Sequence, residues 1–85
     1  MIVRHKPYII NKTAYSLIPK KLAELNDFDT TKPFLLRIIK PKKTKGRYFN
    51  ECKDISGADY VATSIIFKEN NIDPNQEIEF EVYNV

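Results

Sequence analysis

The residues that most clearly suggest a chemical role are lysines and arginines concentrated in the first half of the chain. Residues 40–47 read Lys-Pro-Lys-Lys-Thr-Lys-Gly-Arg, a polar, cationic run that contains both proline and glycine. Cations on such a mobile connector neutralise phosphates and release counterions, which gives salt-sensitive and largely sequence-independent affinity. The residues expected to contact nucleic acid are Arg4, Lys6, Lys12, Lys40, Lys42, Lys43, Lys45 and Arg47. The alternative interpretation of the run is a loop that only keeps the chain soluble.

Aromatic side chains lie beside these cations. Tyr48 and Phe49 directly follow the basic run, and Tyr8 and Tyr15 lie in the other basic segments. Aromatic rings next to cations suit stacking on single-stranded bases. In so small a protein such rings more often fill the core, and we expect that role for them.

The residue types required for catalysis are scarce. His5, the only histidine, lies near the terminus between two cations, where it is expected to be a solvated surface residue rather than a general base. Cys52, the only cysteine, stands among acids that raise the pKa of a thiol, and it permits no internal disulfide. The chain has only two glycines and therefore no glycine-rich phosphate loop. We expect no enzymatic activity and no cofactor.

Three acids alternate along the last apolar segment of the chain. Glu77, Glu79 and Glu81 share one face of a predicted strand. A solvated or partner-facing sheet edge is favoured for them over a metal site, so no metal is expected.

The two halves of the chain differ strongly in charge. Residues 1–48 contain twelve lysines and arginines against three acids, a net charge of +9, whereas residues 49–85 contain two lysines against eight acids, a net charge of −6. This asymmetry indicates that the first half faces a polyanion and that the second faces solvent, a protein or the first half itself. Drift of solvated surface charge without consequence is the alternative.

Short strands and one helix must position these residues. The first half predicts strands over 1–3, 8–10 and 14–18, then a short helix over Lys20–Leu25 after Pro19, a turn over 29–33, and a strand over 34–39. The second half predicts strands over 47–52 and 60–67, with room for at most one helical turn over 68–71. A final strand places Ile78, Phe80 and Val82 on one face.

The two halves also repeat one pattern. Ser-Leu-Ile-Pro-Lys-Lys at 16–21 matches Ser-Ile-Ile-Phe-Lys-Glu at 64–69, and each is followed by an apolar residue, Asp and an alternating apolar strand. A unit that occurs twice generally cannot bury its apolar face alone. We therefore expect one domain, residues 1–85, made of repeats at about 1–40 and 47–85 that are joined by the basic connector 41–46.

Length and composition agree with a single small domain. Hydrophobic residues make up 42% of the 85 residues, with five tyrosines and five phenylalanines, which is enough for a packed core. No apolar run approaches the roughly 18 residues that span a bilayer. The sequence therefore predicts a soluble, cytoplasmic protein.

A family resemblance is carried by residues 15–38. The order Tyr15-Ser-Leu-Ile-Pro-Lys-Lys-Leu22, a helix, Phe28, a turn and Phe34-Leu-Leu-Arg-Ile38 resembles the unit of the AbrB/SpoVT/MazE swapped-hairpin β-barrels. Residues 72–82 resemble the same family's turn and last strand. The Gly-Asp of the family's turn is replaced by Thr31-Lys32 in one copy and Asn75-Gln76 in the other. Since β-branched Thr31 adopts positive φ poorly, the first turn is expected to differ in conformation.

The resemblance implies a mainly β fold, a pseudo-twofold swapped-hairpin or double-psi-like barrel with one or two short helices, formed by two units in one chain. An OB-like barrel or another small α+β fold is the alternative. It also implies DNA binding, as in transcriptional regulators of this group, through the basic residues named above.

A different class of function is also compatible with the sequence. The acidic last strand, with Glu77, Glu79 and Glu81, suits a small protein-interaction module or an inhibitor of a nucleic-acid enzyme, because it can pair with a partner's sheet edge or mimic phosphate charge. DNA is the expected partner, a protein is the second, and no membrane partner is expected. Both a monomer and a homodimer fit the two-unit pattern.

Overall fold

A computed structural model describes the whole chain, residues 1–85, and contains eight strands and two short helices. In chain order these are β1 (Ile2–His5), β2 (Tyr8–Ile10), β3 (Thr13–Ile18), α1 (Lys20–Leu25), β4 (Phe34–Lys40), β5 (Arg47–Phe49), β6 (Lys53–Ile55), β7 (Ala58–Ala62), α2 (Ser64–Glu69) and β8 (Ile78–Asn84). The predicted mainly β class is confirmed.

The strands form two antiparallel sheets of four strands each. Sheet A has the order β1-β8-β4-β5, and sheet B has the order β2-β3-β7-β6. No ladder joins a strand of one sheet to a strand of the other, so the strands do not close into a single barrel. The two short helices follow β3 and β7, the two central strands of sheet B.

One hydrophobic core lies between the two sheets and the helices. Strands β4 and β8 contribute alternate, fully buried side chains, and the residues between them are partly exposed, which is the predicted period of two. The core consists of Val3, Ala14, Ile18, Ala23, Phe28, Phe34, Leu36, Ile38, Val61, Ile66, Phe67, Ile72, Ile78, Phe80 and Val82.

The order of elements is the same in both halves of the chain. The series β1-β2-β3-α1-β4 is followed by β5-β6-β7-α2-β8. Corresponding residues are 44 positions apart in the helices and in sheet A, as Arg37 and Glu81 are, and 45 apart in β2 and β6. Corresponding strands lie side by side at the centre of each sheet, β3 beside β7 and β4 beside β8. The outer strands of sheet A are exchanged, because β1 pairs with β8 and β5 pairs with β4. Each half thus completes a sheet with strands of the other.

Both helices end in the same way. The side-chain amides of Asn26 and Asn70 donate to the carbonyl oxygens four residues earlier, at 2.8 and 2.9 Å. The next residues, Asp27 and Asn71, have φ values of 51° and 56°, the left-handed conformation that terminates many helices. Asn and Asp tolerate this conformation better than other non-glycine residues, so the chain stops both helices without glycine.

The turns that follow the helices share one side-chain contact. The backbone N–H of Thr31 donates to Asp29 Oδ1, and that of Asn75 donates to Asp73 Oδ1, both at 2.9 Å. Neither Thr31 nor Asn75 has a positive φ. As the sequence predicted, the first turn does not place Thr31 at positive φ, and it alone has a backbone hydrogen bond across it, from the N–H of Lys32 to the carbonyl oxygen of Asp29 at 3.4 Å.

Residues 60–67 do not form one strand, as the sequence predicted. Strand β7 ends at Ala62, and the buried Thr63 hydroxyl hydrogen bonds to Ser16 Oγ at 2.9 Å. Ser64 Oγ accepts a hydrogen bond from the backbone N–H of Ala14 at 2.6 Å. These bonds between distant segments end the strand at a point that local β-propensity does not reveal.

Helix α2 follows this break and has six residues, the same length as α1. Ile66 and Phe67 are its buried residues, so core packing overrides the strand preference of its β-branched side chains. With helices matched, Thr63 corresponds to Pro19, and the sequence alignment that placed Phe67 there is wrong by four residues.

The predicted strand over 47–52 is also divided. Strand β5 ends at Phe49, and β6 begins at Lys53 in the other sheet. Between them the backbone N–H of Cys52 donates to the carbonyl oxygen of Thr30 at 2.9 Å. The chain therefore crosses from sheet A to sheet B within three residues.

Candidate nucleic-acid interface

The basic connector, residues 41–46, is docked against strand β4. The Thr44 side chain is buried, its backbone N–H donates to the carbonyl oxygen of Ile38, and its Oγ1 accepts from the Ile38 N–H, both at 2.9 Å. Gly46 lies so close to Leu35 that an added Cβ would stand 2.7 Å from the leucine side chain. The expectation of a mobile connector is wrong, because these contacts fix its course.

Docking of the connector creates a cleft between it and helix α2. This connector cleft has a volume of about 420 Å³ and is lined by Lys43, Thr44, Lys45, Gly46, Arg47, Ile66, Glu69 and Asn70. Lys42 Nζ donates to the carbonyl oxygen of Asn70 at 2.9 Å, which holds the connector at the end of α2. Arg47 pairs with Glu69 at 3.1 Å, whereas Lys43 and Lys45 are exposed and form no ion pair. The structure therefore brings four of the predicted cations together here.

Tyr48 adjoins these cations and is 69% exposed, so the predicted core role is wrong for this ring. The prediction is right for Phe49, whose ring stacks on that of Phe34 with centroids 5.5 Å apart. The remaining two predicted rings lie elsewhere, with Tyr8 half exposed on β2 and Tyr15 against Tyr60. Tyr48 does not line the connector cleft, because consecutive side chains of β5 point to opposite faces of the sheet and Arg47 lines it.

Two predicted cations lie away from the connector cleft. Arg4 on β1 is held by Glu79 at 3.0 Å and approaches Glu77 at 4.0 Å. The hydrogen bond and charge of Glu79 raise the pKa of Arg4, and the charge of Glu77 adds to this. Lys40 ends β4 with Glu79 as its cross-strand neighbour. Since the positive charge of Arg4 is compensated within the sheet, Arg4 is a poor phosphate ligand.

Lys6 and Lys12 lie on the opposite side of α2 from the connector. Lys12 lines a cleft of about 570 Å³, here called the β2 cleft, with Ile9, Ala14, Ser64, Phe67, Lys68, Asn71, Ile72, Asp73, Pro74 and Asn75. Lys6 lines a neighbouring hollow that shares Ile9 and Asn75 with it. Lys68 was not among the predicted site residues. The only signal in the sequence that it lines a cleft would have been its position after Phe67 on a helix, which the sequence did not predict there. The β2 cleft shares no residue with the connector cleft.

The acidic strand β8 is not a sheet edge. It pairs with β1 on one side and β4 on the other, so it offers no free backbone groups for strand addition. Its carboxylates face arginines of the first half, with Glu79 on Arg4 and Glu81 on Arg37 at 2.9 Å. The prediction that Glu77, Glu79 and Glu81 form a partner-pairing edge is therefore wrong, and part of the charge asymmetry is neutralised inside sheet A.

His5 and Cys52 are both partly buried. Burial lowers the pKa of His5, against an opposing effect of the charge of Glu77, and its Nδ1 has no hydrogen-bond partner. The predicted solvated position of His5 is wrong, because the side chain is partly buried and its ring packs 5.1 Å from that of Tyr8. Burial first, then the charges of Asp59 and Glu51, raises the pKa of Cys52 to about 12.

The structure contains no cluster of three or more His, Cys, Asp or Glu side chains arranged to hold a metal ion. Neither helix has the length and apolar character needed to cross a membrane.

Comparison of the chain with protein-family models, with curated proteins and with solved structures returned no match.

Proposed function

We propose that the protein binds DNA through the connector cleft. The observation that carries this proposal is the convergence of Lys43, Lys45 and Arg47 in one cleft on a docked segment, with Lys42 at its end. Lys43 and Lys45 have no acidic partner, so their charge is available to phosphates.

The docked course of the connector strengthens this surface. Thr44 holds the backbone between Lys43 and Lys45, so binding does not have to order a free loop. Less conformational entropy is then lost on association. Exposed Tyr48, outside the cleft but next to Arg47 in the chain, offers an aromatic face on which an unpaired base can stack, a contact worth about 1 to 3 kcal/mol.

We further propose that the chain is a duplicated unit of the AbrB/SpoVT/MazE type and acts as a transcriptional regulator. What supports this is the separation of corresponding elements, 44 residues for α1 and α2 and 45 for β2 and β6, and the exchange of β1 and β5 between the halves. In that family two chains exchange strands to form the binding unit. Here the exchange occurs within one chain, so we expect a monomer to be the DNA-binding form.

The test is fluorescence anisotropy of a labelled 20-base-pair duplex and of the matching single strand, measured across salt concentrations. The variant Lys43→Ala/Lys45→Ala removes two cations that make no contact holding the fold. We expect weaker binding and a salt slope shallower by about 0.9 for each phosphate that the variant no longer neutralises. The control Lys20→Ala/Lys21→Ala removes the same charge from α1, where the hollow that Lys20 lines also contains the acids Glu24 and Asp59. The affinity of this control should stay close to that of the unaltered chain.

Three results would overturn the proposal. The first is no binding of either nucleic acid at 50 mM salt. The second is equal loss of affinity in the connector and α1 variants, which would indicate net charge alone. The third is unchanged affinity in the connector variant. A further variant, Tyr48→Ala, separates strandedness, because it should weaken the single strand more than the duplex.

A further inference from the structure

Strand β2 is the apolar exposed edge of sheet B. It pairs only with β3, and Tyr8, Ile9 and Ile10 are 50, 45 and 44% exposed. The other three sheet edges carry charged side chains, whereas β2 carries none within its bounds. Charged residues and proline normally protect sheet edges from pairing with other chains. Pro7 and the lysines lie only outside the three residues of β2, so its exposed apolar side chains form a surface that another strand can cover.

The geometry of the β2–β3 hairpin leaves backbone groups of β2 free on the side away from β3. The two-residue turn Asn11-Lys12 has φ values of 49° and 67°, so Ile10 and Thr13 form the hydrogen-bonded pair nearest the turn. Ile9 and Ala14, which lie opposite each other, are then the pair without hydrogen bonds between them. The N–H of Ala14 donates to Ser64 Oγ and its carbonyl oxygen accepts from the N–H of Thr63, on the side of β3 away from β2. The N–H and C=O of Ile9 therefore point away from β3, where an incoming strand can bond to both.

The β2 cleft lies beside this free edge and can receive a side chain of such a strand. Ile9 forms one wall, and Phe67, Ile72 and Pro74 supply further apolar surface. Its volume of about 570 Å³ exceeds that of one large side chain. Alternate residues of an added strand point to the same face, so a strand bonded to Ile9 can direct one apolar side chain into the cleft.

The lysines around β2 indicate the charge of the partner. Lys6 precedes β2, Lys12 follows it, and Lys68 lines the cleft, while Asp73 already accepts hydrogen bonds from Asn75. An incoming acidic strand is attracted at both ends of β2. A second copy is disfavoured, because antiparallel pairing of β2 with itself about Ile9 would set Lys6 of each copy against Lys12 of the other.

We propose that β2 and the β2 cleft bind an extended acidic segment of a partner protein by strand addition, with one apolar side chain of that segment in the cleft. The site shares no residue with the connector cleft and does not depend on DNA binding.

The test is selection of random 12-residue peptides, displayed on phage, against the full chain, followed by titration of synthetic peptides monitored by amide NMR. We expect selected sequences in which Asp or Glu alternates with an apolar residue, and the largest shifts at Ile9 and its neighbours. Ile9→Pro removes the outward N–H without removing a β2–β3 hydrogen bond. It should raise the peptide Kd at least 10-fold.

A charge-reversed pair keeps the test informative if Ile9→Pro fails to fold. Lys12→Glu/Lys68→Glu should raise the Kd of an acidic peptide at least 10-fold, and Lys20→Glu/Lys21→Glu, the matched control, should change it less than threefold. The proposal is overturned if no peptide is selected, if the selected peptides lack acids, or if they bind the β2 and control variants equally. A dimer in sedimentation that Ile9→Pro dissociates would also overturn it, since a second copy would then occupy the edge.

Discussion

Arg37 and Glu81 face each other at the centre of the β4–β8 ladder, with Arg37 Nε 2.9 Å from Glu81 Oε1. They are also corresponding residues of the two halves. The flanking pairs are related in the same way, because Leu36 lies opposite Val82 and Ile38 opposite Phe80. If the halves were identical, position 37 would face itself, and like charges would repel across the ladder. The difference in charge between the halves therefore has a role inside sheet A.

Exchanging these two charges tests that role. Arg37→Glu would place two carboxylates opposite each other, and we expect it to lower the free energy of unfolding by about 1 kcal/mol, since both side chains are partly exposed. Glu81→Arg should cost a similar amount. The double variant Arg37→Glu/Glu81→Arg should recover most of the loss. Urea unfolding followed by circular dichroism measures all three.

Lys21→Glu is the matched control, because Lys21 is exposed and makes no ion pair. It should shift the free energy of unfolding by less than about 0.5 kcal/mol. A double variant no more stable than the less stable single variant would show that the pair does not interact.

Elements fixed by local pattern could be predicted from the sequence. Helix α1 was predicted with its observed bounds, because Pro19 suits a helix start and Leu22 and Leu25 have helical spacing. Strands β4 and β8 followed from apolar residues at every second position. In each case the signal lies within about ten consecutive residues.

Features that depend on contacts between distant segments could not be predicted in the same way. Helix α2 begins where Thr63 bonds to Ser16, 47 residues away, and no neighbouring residue signals that contact. The candidate site was affected likewise, because Arg4 is held by Glu79 of a strand at the other end of the chain. The connector cations could be recognised as a cluster because they are adjacent in sequence. Lys68 could not be assigned to a site, because the residues that surround it in space are remote in sequence.

The hydroxyl of Thr44 should make a measurable contribution to stability. Thr44→Val keeps the shape of the side chain but leaves the buried N–H of Ile38 without its acceptor, so we expect a loss of about 1 to 3 kcal/mol. Thr13→Val is the control, since Thr13 is partly buried and its hydroxyl makes no hydrogen bond. Urea unfolding should show a clear loss for the first variant and almost none for the second. Equal stabilities would mean that the connector is not held by this bond.

Cys52 should be protected from thiol reagents in the folded state. A pKa of about 12 leaves far less thiolate at pH 8 than an ordinary cysteine has, and the thiolate is the reactive form. We expect labelling by a disulfide reagent at pH 8 to be at least ~100-fold slower in buffer than in 8 M urea. Cys52→Ser provides the blank. Similar rates in both solvents would contradict the buried, acid-flanked setting of this thiol.

The stability of the fold should fall in mild acid because of His5. Burial lowers its pKa, so as the pH falls below the usual value near 6.5 the unfolded chain binds the proton first, and folding stability is lost until the lowered pKa is passed. The corresponding residue of the second half is Phe49, which makes His5→Phe a replacement of similar shape at a matching place. The free energy of unfolding, measured from pH 7.5 to 5.0, should decline less in this variant than in the unaltered chain. Glu77→Gln removes the opposing charge and should steepen the decline, whereas parallel curves for all three chains would exclude His5 as the source.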